Sequence, residues 1–224
     1  MKSRANYIEY ILDTILMLVV IQLFRIVAKF ILISQLNLSL ENLIVTTIIS
    51  FMVVGTILLL IFKNNPKFTH HSLKLVNMFN HRNKYIKVVL GIIVGIASII
   101  TPYFNGGYSM YNIELLILSI IIIPIFEELL FREHIWNYLT YHIKNTTIIF
   151  IATMIMYSVY QIGYIDIISQ YMKLTSMSGY MVDILIFNIV KGLILGSILN
   201  FIRIKFKDIY ICIMIHTLFS ILLY

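Results

Sequence analysis

The chain has 224 residues, of which 60% are hydrophobic and 12% charged, with a mean hydropathy of +0.94. A soluble domain carries about 25% charged residues, so this composition excludes a soluble globular protein and predicts an all-α, polytopic membrane bundle forming one membrane domain. The formal charge of +7 comes from Lys and Arg spread over several short loops, which marks topology and argues against a nucleic-acid partner. Cys212 is the single cysteine, so no intrachain disulfide can form, and its apolar surroundings predict a packing role.

A spanning helix needs ~20 mostly apolar residues. Seven stretches qualify as candidates: Ile8 to Phe24, continuing towards Ile33; Leu43 to Phe62; Val88 to Phe104; Tyr111 to Phe131; Thr147 to Tyr164; Met181 to Ile202; and Ile209 to Tyr224. No small-residue cleavage site follows the first stretch, which therefore reads as a retained span. Residues 1–110 supply the first helices, and residues 111–224 form the core that carries the polar motifs. With the amino terminus inside, Lys2, Arg4, Lys63, Lys67, Lys74, Arg82, Lys84, Lys87, Arg132, Lys144, Arg203, Lys205 and Lys207 fall on the cytoplasmic side, and only Lys173 falls in an outer loop. That bias predicts a multi-pass plasma-membrane protein with its amino terminus in the cytoplasm. Arg25 and Lys29 share one helix face, and snorkelling to the outer headgroups or an interfacial segment accounts for them. The stretch 63–87 holds six Lys/Arg, three His (His70, His71, His81) and no acid. It reads as a basic cytoplasmic loop that can lie on anionic lipid headgroups, and no carboxylate or Cys accompanies its histidines to make a metal site.

Ionisable groups inside spans are costly and point to function. The run Ile121 to Arg132 contains Glu127, Glu128 and Arg132. On an α-helix Glu128 and Arg132 lie about 40° apart and can pair, while Glu127 is turned away by ~100° from Glu128. The spacing predicts an ion pair for Glu128 and a free carboxylate in a dry setting for Glu127, where it can act as a general base. Tyr157 and Gln161 are four apart in the fifth span, where an amide equally serves to bridge helices. Asn188 and Lys191 precede Gly192 and Gly196, whose spacing predicts close helix packing, with Lys191 pairing with a carboxylate or reaching an interface. His216 and Ser220 are four apart in the last span. If these groups converge, they supply a base for water and donors for an oxyanion.

The order of these motifs resembles the CAAX-protease and bacteriocin-processing (CPBP, or Abi) family of intramembrane proteases. Its Glu-Glu-x-x-x-Arg motif is intact at Glu127-Glu128-Leu-Leu-Phe-Arg132. Its Phe-x-x-x-His motif falls on Tyr157 and Gln161, and its His-x-x-x-Asn/Asp motif on His216 and Ser220. The resemblance covers about Tyr111 to Tyr224. It implies a hydrolase with a cytoplasm-facing site inside the membrane, a membrane-embedded or membrane-tethered peptide or protein as substrate, and catalytic roles for Glu127, Gln161 and His216 supported by Glu128, Arg132, Ser220 and Tyr157. Bacterial relatives are tied to peptide maturation, bacteriocin immunity and envelope regulation. No cofactor is firmly implied. A divalent metal would fall to Glu127 and His216 but would lack the strong ligand that Gln161 replaces. The same departures leave two further readings open, a catalytically impaired immunity or regulatory partner and a small transporter, the latter weakened by the lack of an inverted repeat.

Overall fold

The structure is a computed structural model that describes residues 4–63, 83–176 and 178–222. Every regular element among them is helical, as the composition predicts. Helices α1 (Arg4–Ile33), α2 (Leu40–Lys63) and α3 (Lys84–Phe104) precede a continuous helical run, α4, from Met110 to His142. Helix α5 (Thr146–Tyr160) leads through a 3-10 turn (Gln161–Tyr164) into α6 (Ile165–Thr175), and α7 (Met181–Phe206) and α8 (Ile209–Leu222) complete the chain. Among the described residues, five segments are long and apolar enough to cross a membrane: Tyr7–Ile33, Leu40–Ile61, Lys84–Phe104, Thr146–Thr175 and Met181–Phe206. The shorter apolar helix Ile209–Leu222 and the α4 run correspond to the other two expected spans.

Local chemistry sets the helix ends. The Ser109 hydroxyl accepts from the Asn112 backbone N–H, and the Asn145 side chain accepts from Thr147 and Ile148, capping α4 and α5. Gly106 and Gly107, both at φ +90°, turn the chain between α3 and α4 in a conformation that side chains disfavour. The α4 run is α-helical over Met110–Ile117, Ile123–Glu128 and Trp136–His142, but π-helical over Leu118–Ile122 and Leu129–Ile135. These wide turns flank the glutamate pair on both sides, a placement frequent at functional sites.

The bundle is apolar outside as well as inside. Phe24, Phe30, Leu60, Ile99, Phe187 and Phe201 are all more than half exposed, as suits helices solvated by lipid. Buried within are Leu130, Ile135, Leu139, Ile143, Leu199 and Ile211. One end of the bundle gathers the basic residues. Lys87 pairs with Asp208 at 3.1 Å, Asn83 donates to the Phe206 carbonyl, Arg203 lies 3.5 Å from Glu133, and Tyr10 stacks on His142. Lys87 is thus tied down rather than offered to headgroups. Residues 64–82, most of the proposed lipid-binding loop, including His70, His71 and His81, lie outside the described residues.

Arg25 and Lys29 correct their expectation. Neither snorkels: they are 0% and 1% exposed. Arg25 donates to Asp166 at 2.6 Å and to the Gly163 carbonyl at 2.7 Å, and Lys29 also pairs with Asp166. Asp166 supplies a counter-charge from α6, which makes burial cheaper for both cations than a journey to the interface. Gln22 adds a further bond, its carbonyl accepting from Arg25 at 2.8 Å. This charged knot fixes α1 to the 3-10 turn that carries Gln161 and Tyr164. Asp166→Ala strands two buried cations, and a stability loss of about 3–5 kcal/mol is expected, read as a lowered unfolding midpoint of the purified protein in detergent. Asp166→Glu should recover part of it.

Candidate active site

Glu127 and Glu128 are 1% and 0% exposed, deep in the bundle. Two carboxylates in such a place need donors, and the neighbouring helices provide them. Glu128 faces Arg132, with Nη1 3.4 Å from Oε1 and Nε 3.3 Å from Oε2, and receives His216 Nδ1 at 2.9 Å. The predicted Glu128–Arg132 pair therefore forms, even though the intervening turn is π-helical. Arg132 also donates to the Gly196 carbonyl at 3.3 Å and stacks 4.4 Å from the Tyr157 ring centre, which holds α4, α5 and α7 together through one guanidinium.

Glu127 is not the free carboxylate that helix geometry predicts. Its Oε2 accepts from the Tyr157 hydroxyl at 2.5 Å, and its Oε1 accepts from Tyr164 and from Gln161 Nε2 at 3.3 Å. Three donors from α5 and the following turn occupy it, because a desolvated carboxylate takes whatever donors it can reach. Gln161 does offer an N–H, as expected, but gives it to Glu127. His216 Nε2 stands 3.8 Å from Glu127 Oε2, beyond hydrogen-bond range. His216 thus stands between the two carboxylates, with Nδ1 on Glu128 and Nε2 facing Glu127.

A cavity of about 370 Å³ opens on this group, and Glu127, Tyr157, Gln161, Tyr164, Asn188, Lys191, His216 and Ser220 all lie on its wall. All four polar clusters seen in the sequence thus meet in one place. Lys191 lines the cavity, half-buried, with no contact ion pair among the described residues, and the charge of Glu127 acts on it from across the gap. Ser220 lines it too, with no hydrogen bond among the described residues. Tyr164 was not singled out by the sequence, although Tyr157, Gln161 and Tyr164 fall at helical spacings of four and seven on one face.

Close packing of α5 against α7 makes this convergence possible. A Cβ on Gly192 would come within 3.0 Å of the Ser158 Cα and of Gln161 Cγ, and one on Gly196 within 3.2 Å of the Tyr157 ring. The Gly-x-x-x-Gly spacing therefore has the packing role it suggests. The Ser158 hydroxyl seals the contact by donating to the Ile189 carbonyl at 2.7 Å.

The donor set does not suit a metal ion. Tyr157, Tyr164 and Gln161 all donate to Glu127, so a cation beside it would meet hydrogens on three sides and find a further ligand only in His216 Nε2.

An all-helical membrane bundle with paired glutamates, an arginine and a histidine gathered on one cavity defines a class of membrane-embedded carboxylate sites. The family profile described as type II CAAX prenyl endopeptidase Rce1-like matches residues 109–222, just over half the chain, and the chain belongs to that family. No curated protein and no solved structure matches it.

Gly192→Ala should cost about 1–3 kcal/mol, because the Ser158 backbone cannot step aside. Truncating the flexible neighbour as well, in Gly192→Ala/Gln161→Ala, should leave most of that loss in place. Thermal unfolding of the single and double variants measures both.

Proposed function

We propose that the protein is an intramembrane endopeptidase that hydrolyses a peptide bond in this cavity with a water held between Glu127 and His216. The observation that carries the proposal is the 3.8 Å gap between Glu127 Oε2 and His216 Nε2 on the cavity wall, a separation that one water bonded to both can bridge. That water donates a hydrogen to each acceptor, leaving its own lone pair for attack on a carbonyl carbon. The proton passes to the Glu127–His216 pair and on to the leaving amine. Glu128 behind His216 orients the ring and stabilises it when charged. Gln161 keeps a second N–H, and Ser220 an uncommitted hydroxyl, to receive the developing oxyanion. Glu127→Gln and His216→Ala should each lower single-turnover cleavage of a membrane-tethered peptide by about 10²–10⁴. Cleavage by Glu127→Gln at the unmodified rate would refute the role given to the carboxylate.

A second reading is supported by the three bonds on Glu127. Its lone pairs face Tyr157, Tyr164 and Gln161, which leaves fewer of them for a water. In this reading the chain binds a peptide or protein partner without cutting it, as an immunity or regulatory member. Tyr157→Phe/Tyr164→Phe separates the two. Releasing the carboxylate should raise cleavage if the phenols restrain a working base, and should leave cleavage absent and partner binding intact if the protein only binds.

The direction of the cavity supports access from outside the cell, in place of the cytoplasm-facing site that the resemblance implies. Its wall runs from Glu127 back through Ile123, Ser119 and Leu115 towards Met110, from Leu195 through Lys191 and Asn188 towards Met181, and from His216 to Ser220 near the end of α8. The basic end at Lys87, Lys144, Arg203 and Lys207 lies the other way, and Lys and Arg collect in the cytoplasm. A membrane-impermeant maleimide added to intact cells should label Ser220→Cys and leave Lys144→Cys unlabelled. The reverse pattern would return the opening to the cytoplasm.

A further inference from the structure

The cavity holds one charge that the proposed chemistry does not use. Lys191 and Asn188 are three apart on α7, so both side chains reach the wall on one face. Among the described residues, neither makes a hydrogen bond or ion pair. The nearby carboxylates make their hydrogen bonds and contact ion pairs elsewhere, although the charge of Glu127 still acts on Lys191. Glu127 accepts from Tyr157, Tyr164 and Gln161, Glu128 is held by Arg132 and His216, and Asp166 binds Arg25 and Lys29. The Lys191 ammonium therefore faces the cavity with no carboxylate in contact, and the charge of Glu127 acts on it only across the gap. A neutral ligand filling the cavity would bury that ammonium unpaired, which is costly, whereas a ligand carrying an anion would pair with it in a water-poor setting where the pair is strong. That asymmetry makes Lys191 a selector of charge.

We propose that Lys191, helped by the Asn188 amide, is the anchor for a carboxylate carried by the bound peptide, so that the protein takes acidic peptides in preference to isosteric neutral ones. The proposal rests on the reading of the cavity as a peptide site. A phospholipid phosphate is the other source of an anion, and depth argues against it. Lys191 is ten residues along α7 from Met181, about 15 Å of helix, well below the level of headgroups in a bilayer with a ~30 Å core. A peptide lying against Glu127 passes that level on its way to the opening.

The test measures binding and cleavage separately. The full chain is placed in zwitterionic nanodiscs. Fluorescent, lipid-tethered decapeptides are presented in two sets: one with a single Glu moved through the sequence and a free carboxyl terminus, the other with Gln and a carboxamide. At least one acidic member should bind about 10-fold or more tighter than its neutral twin. Lys191→Met should abolish that preference, Lys191→Arg should restore much of it, and Lys191→Glu should transfer it to a peptide bearing Lys. Repeating the titration in the Glu127→Gln background keeps this readout independent of hydrolysis. Charge preference at Lys191 without any cleavage by the unmodified protein upholds the anchor and removes the peptidase reading. Cleavage with equal loss on acidic and neutral peptides in Lys191→Met overturns the anchor and leaves the peptidase standing. Preference that vanishes in phosphatidylglycerol nanodiscs while Lys191 becomes protected from acylation assigns the site to a lipid phosphate and overturns the proposal.

Discussion

Two adjacent carboxylates buried in an apolar bundle persist only if other helices bring them hydrogen-bond donors and positive charge, and the carboxyl-terminal half of this protein is arranged around that requirement. Arg132 comes from the same helical run, His216 from α8, and Tyr157, Tyr164 and Gln161 from α5 and its terminal turn. Each donor ties another helix to α4. The electrostatic demand of the glutamates and the packing of the bundle are therefore one problem with one solution.

That solution depends on small residues and on turns outside the ordinary helix. Gly192 and Gly196 let the α5 backbone lie against α7, which carries Tyr157 and Gln161 to the depth of Glu127. The π-helical stretches around Ile123–Glu128 re-aim the glutamates within a run that otherwise reads as one straight span. On the far side, Asp166 draws Arg25 and Lys29 into the bundle and braces the turn holding Gln161 and Tyr164. Site and scaffold thus share their polar groups.

The presence of Gln161, where the motif resemblance leads one to expect a histidine, takes on a definite form in this setting. A histidine could accept or donate a proton, whereas the amide only donates its N–H to Glu127 and stays there. The phenols of Tyr157 and Tyr164 do the same. His216, backed by Glu128, turns Nε2 towards the Glu127 side of the cavity. In the proposed hydrolysis, proton traffic falls on His216 as much as on the glutamate in front of it.

The sequence by itself determined the all-helical membrane class, the positions of most spans, the family, the Glu128–Arg132 pair and the Gly-x-x-x-Gly contact, because each rests on composition, on residues within two turns of one another or, for the family, on the order of such short motifs along the chain. Hydropathy and helical spacing are local quantities. Tyr164 was within reach of the same logic, seven residues beyond Tyr157. Only the tertiary structure decided that Glu127 is occupied by three donors, that Arg25 and Lys29 are buried on Asp166, and that Lys191 lines the same cavity as Glu127. These facts turn on which charge from a distant segment arrives first: Asp166 lies 141 residues from Arg25, and Tyr157 lies 30 from Glu127. A buried charge takes its state from the partner that packing delivers, and packing between helices is written in no single stretch of the chain.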